Sequence, residues 1–153
     1  MNPETELTTD LARNTLNEIY PTAKQITLVE HGYDNIVGLV DETYAVRFPR
    51  NADAYRRSQY EKSVLNSINQ PQELEIPKVL DERSDPPCLI TNFLHGTHLN
   101  AKELNGLTPE QQEQFAKDIA QFAYTLHKSL SVDEVQGFRE KFEINKLDEA
   151  WGD

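Results

Sequence analysis

Two short apolar runs, Ile36–Val40 and Thr43–Phe48, are separated only by Asp41 and Glu42. So short a connection can only reverse the chain, because parallel neighbours need a crossover of about a dozen residues or more. The second run alternates, with Tyr44, Val46 and Phe48 on one face and Ala45 and Arg47 on the other. A third run, Gln25–His31, is rich in β-branched residues and precedes them across the turn formers His31-Gly32-Tyr33-Asp34-Asn35. Together the runs predict a three-stranded antiparallel meander.

The flanking segments add helices and two more strands. Leu7 to Tyr20 reads as a helix capped by Thr9 or Asp10, with Leu11, Leu16 and Ile19 on one face and Pro21 ending it. Pro49 stops the third strand. Asp53 to Ile68 then reads as a helix with Tyr60, Val64, Leu65 and Ile68 on its inner side, ended by Asn69-Gln70-Pro71. Lys78–Asp81 and Cys88–Leu94 are strand candidates joined by a turn region at 82–87. The order β-β-β-α-β-β predicts an α+β sheet with one helix against it. After His95-Gly96 the composition turns polar. Thr108-Pro109-Glu110-Gln111 combines an N-cap threonine, a proline at N1 and a glutamine at N3, the signature of a helix start. Phe115, Ile119, Phe122, Ala123, Leu126 and Leu130 follow at helical spacing, and such a stripe needs a partner surface. Ser131–Asp153 is charged, with Phe138, Phe142, Ile144, Leu147 and Trp151 as its apolar anchors.

A chain of 153 residues, 37% of them hydrophobic, suffices for one domain, or for a small lobe plus part of another. No apolar run approaches the roughly 18–20 residues of a membrane span. The acidic start Met-Asn-Pro-Glu-Thr-Glu has no signal-peptide pattern, so a cytoplasmic location is the default expectation. Cys88 is the only cysteine, which excludes an internal disulfide and a cysteine-rich zinc site. His31, His95, His98 and His127 form no metal-ligand spacing with carboxylates. A net charge of −11 argues against nucleic acid as a partner. It is weakly compatible with a cationic small-molecule substrate; a simply acidic protein that needs no such partner fits it better, and the charge alone assigns no partner.

Arg47 and Glu61 are the polar residues whose placement is most informative. Arg47 lies mid-strand, on the face opposite Val46 and Phe48. Glu61 shares a helical stripe with Val64, Leu65 and Ile68, where a carboxylate is costly unless paired. A strand cation followed about fourteen residues later by an inward helix carboxylate is the arrangement kinases use to hold phosphates. A solvated arginine and an edge-of-core glutamate fit the spacing equally well.

Tyr44-Ala45-Val46-Arg47 matches the kinase V-A-I-K pattern in register, with Arg47 at the lysine position. The run Gly32-Tyr33-Asp34-Asn35, Val40-Asp41 and Val46-Arg47-Phe48-Pro49-Arg50 is similar to the "G-x-D-N … V-x-R-F-P-R" of the aminoglycoside phosphotransferase family, which also includes choline-kinase-like, homoserine-kinase-like and macrolide-kinase-like members. Ile76-Pro77-Lys78-Val79 resembles that family's "I/V-P-x-V" strand. Leu89-Ile90-Thr91-Asn92-Phe93-Leu94-His95-Gly96 resembles its hinge, and Phe122-Ala123-Tyr124-Thr125-Leu126-His127 the "L-A-x-L-H" of its second lobe. The resemblance covers roughly residues 25–130. It implies a protein-kinase-like N-lobe at about 1–92, built as a five-stranded antiparallel sheet plus helix. A hinge at 92–96 and the start of a helical second lobe at 97–153 complete the implied organisation. It implies phosphorylation of a small-molecule hydroxyl by ATP or GTP with Mg2+. Gly32, Tyr33, Asp34 and Asn35 would cover the triphosphate. Ala45 would lie against the base, Arg47 would hold phosphates and Glu61 would orient Arg47. Thr91 would be the gatekeeper, while Asn92 would offer its backbone carbonyl and Leu94 its backbone N–H to the base.

The 31–35 loop has a single glycine, unlike the G-x-G-x-x-G of protein kinases, which favours a small-molecule kinase. The family's catalytic H-G-D-x-x-x-x-N and its later D-x-D do not occur in the 153 residues. Trp151-Gly152-Asp153 is the closest string and lacks the histidine. The general base and the magnesium ligands are therefore expected beyond residue 153, and this chain alone is expected to be inactive, with its apolar stripe partly exposed or buried by self-association. The alternative is a non-catalytic nucleotide-binding or protein-interaction module. An in-frame H-G-D-x-x-x-x-N following Asp153 would favour the kinase, and an immediate stop the module. A third reading, an unrelated α+β domain with no nucleotide site, would be favoured by Arg47 and Glu61 on opposite sides of the sheet.

Overall fold

The computed structural model describes residues 7–68, 75–97 and 100–144. Asn69-Gln70-Pro71, His98, and the C-terminal Leu147 and Trp151-Gly152-Asp153 lie outside the described residues. Helix α1 (Thr9–Ile19) leads into strands β1 (Ile26–Val29), β2 (Asn35–Val40) and β3 (Tyr44–Pro49). Helix α2 (Ala52–Ser67) follows, then β4 (Val79–Ser84) and β5 (Pro87–Asn92). Three helices come last: α3 (Ala101–Asn105), α4 (Pro109–Ser129) and α5 (Val132–Lys141). The strands form one antiparallel five-stranded sheet in the order β1-β2-β3-β5-β4. Together with the helices it makes the α+β, kinase-like architecture expected of the chain.

The turn after Val40 closes with the Thr43 N–H donating to the Val40 carbonyl at 2.9 Å, but the ladder resumes at Val40↔Tyr44, so Thr43 belongs to the turn and not, as expected, to the strand. Asp41 and Glu42 both take positive φ, 50° each, a conformation costly for residues with a Cβ. The Asp41 carboxylate offsets part of that cost. It accepts from the backbone N–H of Lys24 at 2.9 Å and of Gln25 at 2.7 Å, tying the turn to the start of β1.

Strand alternation divides the sheet into two faces. Ile36, Val40, Val46, Phe48, Cys88 and Ile90 point to one side and form the main core with Ala12 and Leu16 of α1. Each fully buried aliphatic or aromatic side chain there contributes about 1.5–3 kcal/mol. Gly38 shares this face. A Cβ on it would lie 2.4 Å from Leu16 Cδ1, so the missing side chain is what lets α1 seat on β2. The expectation of a single helix against the sheet is thus corrected: α1 covers one face and α2 the other. The cap of α1 is Thr8 rather than Thr9 or Asp10, its side chain accepting from Leu11 N–H at 3.1 Å.

The opposite face carries Val37, Leu39, Ala45, Arg47, Leu89 and Thr91, with α2 packed over the β3 and β4 side. The buried positions of α2 are Ala54 and Ser58, not the expected Tyr60, Val64, Leu65 and Ile68, which are half-buried. Small residues at the contact allow close approach of helix and sheet, and Glu61 is the next position along that line. Strand β4 is longer than expected and pairs to Ser84↔Pro87, shrinking the turn to Asp85-Pro86.

Helix α4 starts as read, with Thr108 and Gln111 forming a reciprocal capping box and Pro109 at the first turn. Its stripe is open: Phe115 is 37% exposed, Ile119 54% and Phe122 39%. Helices α3 and α5 were not expected; each begins with its own capping box, Asn100 with Glu103 and Ser131 with Glu134. No helix among the described residues is long and apolar enough to cross a membrane.

Candidate functional site

Arg47 sits at the centre of the sheet, paired across the ladders with Val37 and Leu89. Its alternation puts the side chain on the α2 face. There its NH1 donates to both oxygens of Glu61, at 2.7 and 2.9 Å. The pair is partly shielded, with Arg47 21% and Glu61 42% exposed. The arrangement that would have favoured an unrelated domain, with the two residues on opposite sides of the sheet, is not the one found. Arg47 Nε is buried and has no hydrogen-bond partner among the described residues. The guanidinium thus has donor capacity beyond Glu61.

On the same face, Ala45 pairs with Leu39 on one side and Thr91 on the other. Thr91 is buried, and its hydroxyl reaches the Ala45 carbonyl at 3.4 Å. Since α2 lies toward β4, the β1–β2 half of this face is open, and Val29 is 40% exposed. A shallow depression lined by Gln25, Thr27, Leu39, Asp41, Glu42 and Phe93 includes Leu39, the ladder partner of Ala45. Phe93 N–H bonds the Thr43 carbonyl at 2.8 Å, and its ring meets His95 edge-on at 4.9 Å. Asn92 closes the β4–β5 end, its side-chain oxygen accepting from Lys78 N–H at 2.6 Å. The Leu94 N–H has no protein partner among the described residues.

The β1–β2 loop lies at the far end of the same strands. Gly32 is held close to Asn35, since a Cβ there would be 2.6 Å from the Asn35 carbonyl oxygen. Asp34 faces Arg57 of α2, which donates to it through Nε at 2.7 Å and NH2 at 2.5 Å. This hydrogen bond is the main cause holding the Arg57 guanidinium above its usual pKa. Tyr33 is almost fully exposed at the tip. Asn35 Oδ1 is buried without a partner among the described residues. The expected residues thus fall toward two ends of the strands, with Ala45, Arg47 and Thr91 sharing the α2 face, Asn92 alternating to the other face at the β5 end, Leu94 just beyond it, and Gly32–Asn35 at the far end. Arg50 and Arg57, which hold the loop, had no role assigned from the sequence. The spacing of Arg57 and Glu61, four apart on one helix, was the available signal. Among the described residues no group of three or more His, Cys, Asp or Glu is placed to hold a metal ion.

A family model, that of the APH phosphotransferase enzyme family, matches residues 25–152. The chain belongs to this family. No curated protein matches it in sequence. Solved structures share its fold. A GDP complex of an aminoglycoside 2'-phosphotransferase-IIIa variant superposes with a TM-score of 0.71 at 18% identity, covering 86% of this chain and 45% of that one. The ADP-bound aminoglycoside phosphotransferase APH(2'')-Ib gives 0.67 at 19% identity, covering 82% and 41%. The streptomycin–ATP complex of APH(2")-IIa gives 0.67 at 20% identity, covering 90% and 47%. The chain spans about half the length of these relatives.

Proposed function

We propose that this chain supplies the nucleotide-binding part of a phosphotransferase that moves the γ-phosphoryl group of ATP or GTP to a hydroxyl of a small molecule. The observation that carries the reading is the Arg47–Glu61 pair, which joins the central strand to α2 beside an open sheet face. The strand holds Arg47 and Glu61 aims it, so the guanidinium meets the phosphates without reorganising. An arginine fork can bond a carboxylate and a phosphate at once. Ala45, Leu39 and the depression that Phe93 helps line give the base a flat apolar seat. Thr91 limits its depth, while the Asn92 carbonyl and the Leu94 N–H read its edge. Gly32 to Asn35 cover the triphosphate. That solved members of the fold carry ATP, ADP or GDP supports a nucleotide in this cleft.

In this reading residues 1–92 are the nucleotide lobe, 92–96 the hinge and 97–153 the opening of a helical lobe. Magnesium would screen the phosphate charge during transfer. Its ligands, and the base that takes the acceptor's hydroxyl proton, are not assigned to any residue of this chain. The chain alone is therefore expected to show no turnover, and its exposed α4 stripe to be covered by further protein or by self-association. The acceptor is a small hydroxyl compound, with aminoglycosides the first class to assay because a relative was solved with streptomycin. The cytoplasm, where ATP and GTP reside, is the matching location.

The test is Arg47→Ala in the whole protein carrying this chain. Nucleotide affinity should fall about 10- to 100-fold, the worth of charge-assisted hydrogen bonds, and turnover should fall with it. Wild-type affinity and turnover in that variant would refute the reading.

A further inference from the structure

Two arginines converge on the β1–β2 loop from outside it. Arg50 follows β3. Its Nε donates to the Gly32 carbonyl at 3.0 Å, its NH2 to the Glu30 carbonyl, and its backbone N–H to the Asp34 carbonyl at 2.8 Å. Three alternate carbonyls of the loop therefore turn toward one residue. In a trans peptide the following N–H points the opposite way. The N–H groups of His31, Tyr33 and Asn35 are thus turned away from Arg50, toward the side of the loop where an anion would be met. Arg57 acts on the same loop from α2 through its two-point contact with Asp34. One helical turn further, Glu61 of the same helix holds Arg47.

We propose that Arg50 and Arg57 are positioning residues: Arg50 sets the direction of the loop's backbone donors, and Arg57, through Asp34, locks the loop to the helix that aims Arg47. This inference rests on the nucleotide reading above for its functional consequence, and on the loop geometry alone for the tether. Asp34 then serves the site through Arg57 rather than by touching the ligand. A single displacement of α2 would release the loop and Arg47 together, because both attachments lie on one face of one helix. Arg56, adjacent in sequence, is the internal contrast. It pairs with Asp53 and with Glu143 and does not contact the loop.

The experiment uses the whole protein carrying this chain and compares Arg57→Gln, Arg50→Gln, Arg57→Lys and Arg56→Gln. Amide hydrogen exchange at residues 31–35 is measured without ligand, and affinity for ATP and GTP with Mg2+ is measured separately for each variant, Arg56→Gln being expected to keep wild-type affinity. Losing a partly exposed two-point ion pair should speed exchange at 31–35 roughly five- to tenfold in Arg57→Gln. Arg50→Gln should do the same, with α1 and the central strands unchanged. Nucleotide affinity should fall by a similar factor in both. Arg57→Lys keeps the charge without the fork and should recover part of each loss. Arg56→Gln removes the same charge and should leave exchange at 31–35 unchanged, which separates positioning from general attraction of an anion. Unchanged exchange at 31–35 in Arg57→Gln and Arg50→Gln would overturn the tether. Faster exchange with wild-type affinity would overturn the positioning role. If the wild-type protein binds neither nucleotide, the nucleotide reading and the positioning role fail together, while the exchange result still decides the tether.

Discussion

Gly38→Ala tests how α1 is seated. The added Cβ would lie 2.4 Å from Leu16 Cδ1, 2.9 Å from Cδ2 and 3.2 Å from Cγ. Contact between carbons begins near 3.5 Å, so the Leu16 side chain must retreat by about 1 Å. It has nowhere to rotate, because Leu16 is fully buried among Ile36, Val40 and Val46. Overpacking of this kind costs about 1–3 kcal/mol. Leu16→Ala alone leaves a cavity and costs about 2–5 kcal/mol. In the double variant the new methyl at position 38 enters the space Leu16 vacated. The double variant should therefore be less destabilised than the sum of the singles by at least ~1 kcal/mol. Thermal melts report this directly, at roughly 2–4 °C per kcal/mol for a chain of this size. Additive losses, or a Gly38→Ala variant as stable as wild type, would refute the claim that α1 docks through the space over Gly38.

Glu61→Gln keeps the shape and one acceptor but removes the charge facing Arg47. Because both partners are part-exposed, melting temperature should change by only a few degrees, about 1 kcal/mol, while turnover of the whole protein falls. Kinetics beside a melt check this; a drop in stability matching the loss of activity would point to a structural role alone. Burial pushes the Cys88 thiol up to about 11. Folding thus favours the protonated thiol, a contribution fully present below the unfolded value near 9 and lost as pH rises toward 11. Denaturant midpoints should fall between pH 9 and 11 in wild type and less so in Cys88→Ala, and thiol reagents should react only on unfolding. Equal pH slopes in the two proteins would contradict that account.

The strand segment was legible because two signals agreed. The Asp41-Glu42 turn forced a hairpin, and alternation from Tyr44 to Phe48 assigned its faces. Arg47 is legible for the same reason, since alternation fixes its face; the inward turn of Glu61 is read from Val64, Leu65 and Ile68, which are only half-buried, and its alignment with Ala54 and Ser58 is what brings it to Arg47. The apolar residues of α2 do not mark its inner side. The sheet instead accepts Ala54 and Ser58, since close approach favours small side chains over large ones. The docking of α1 depends on one glycine, a relation between Gly38 and Leu16 that no local pattern displays. The Arg57–Asp34 tether spans 23 residues and joins two exposed-looking charges, which in sequence resemble any solvated pair. The starts of α3 and α5 were written in their capping boxes but lacked the apolar stripe that made α4 visible.

The central claim is that one open sheet face, between the Gly32–Asn35 loop and the Thr91–Leu94 segment, receives a nucleotide. Amide hydrogen exchange of the whole protein, with and without ATP or GTP and Mg2+, tests it most directly. Bound nucleotide should slow exchange at 32–35, 45–47 and 91–94 and leave α1, on the opposite side of the sheet, unaffected. Nucleotide-dependent protection confined to other segments, or none at saturating nucleotide, would contradict it.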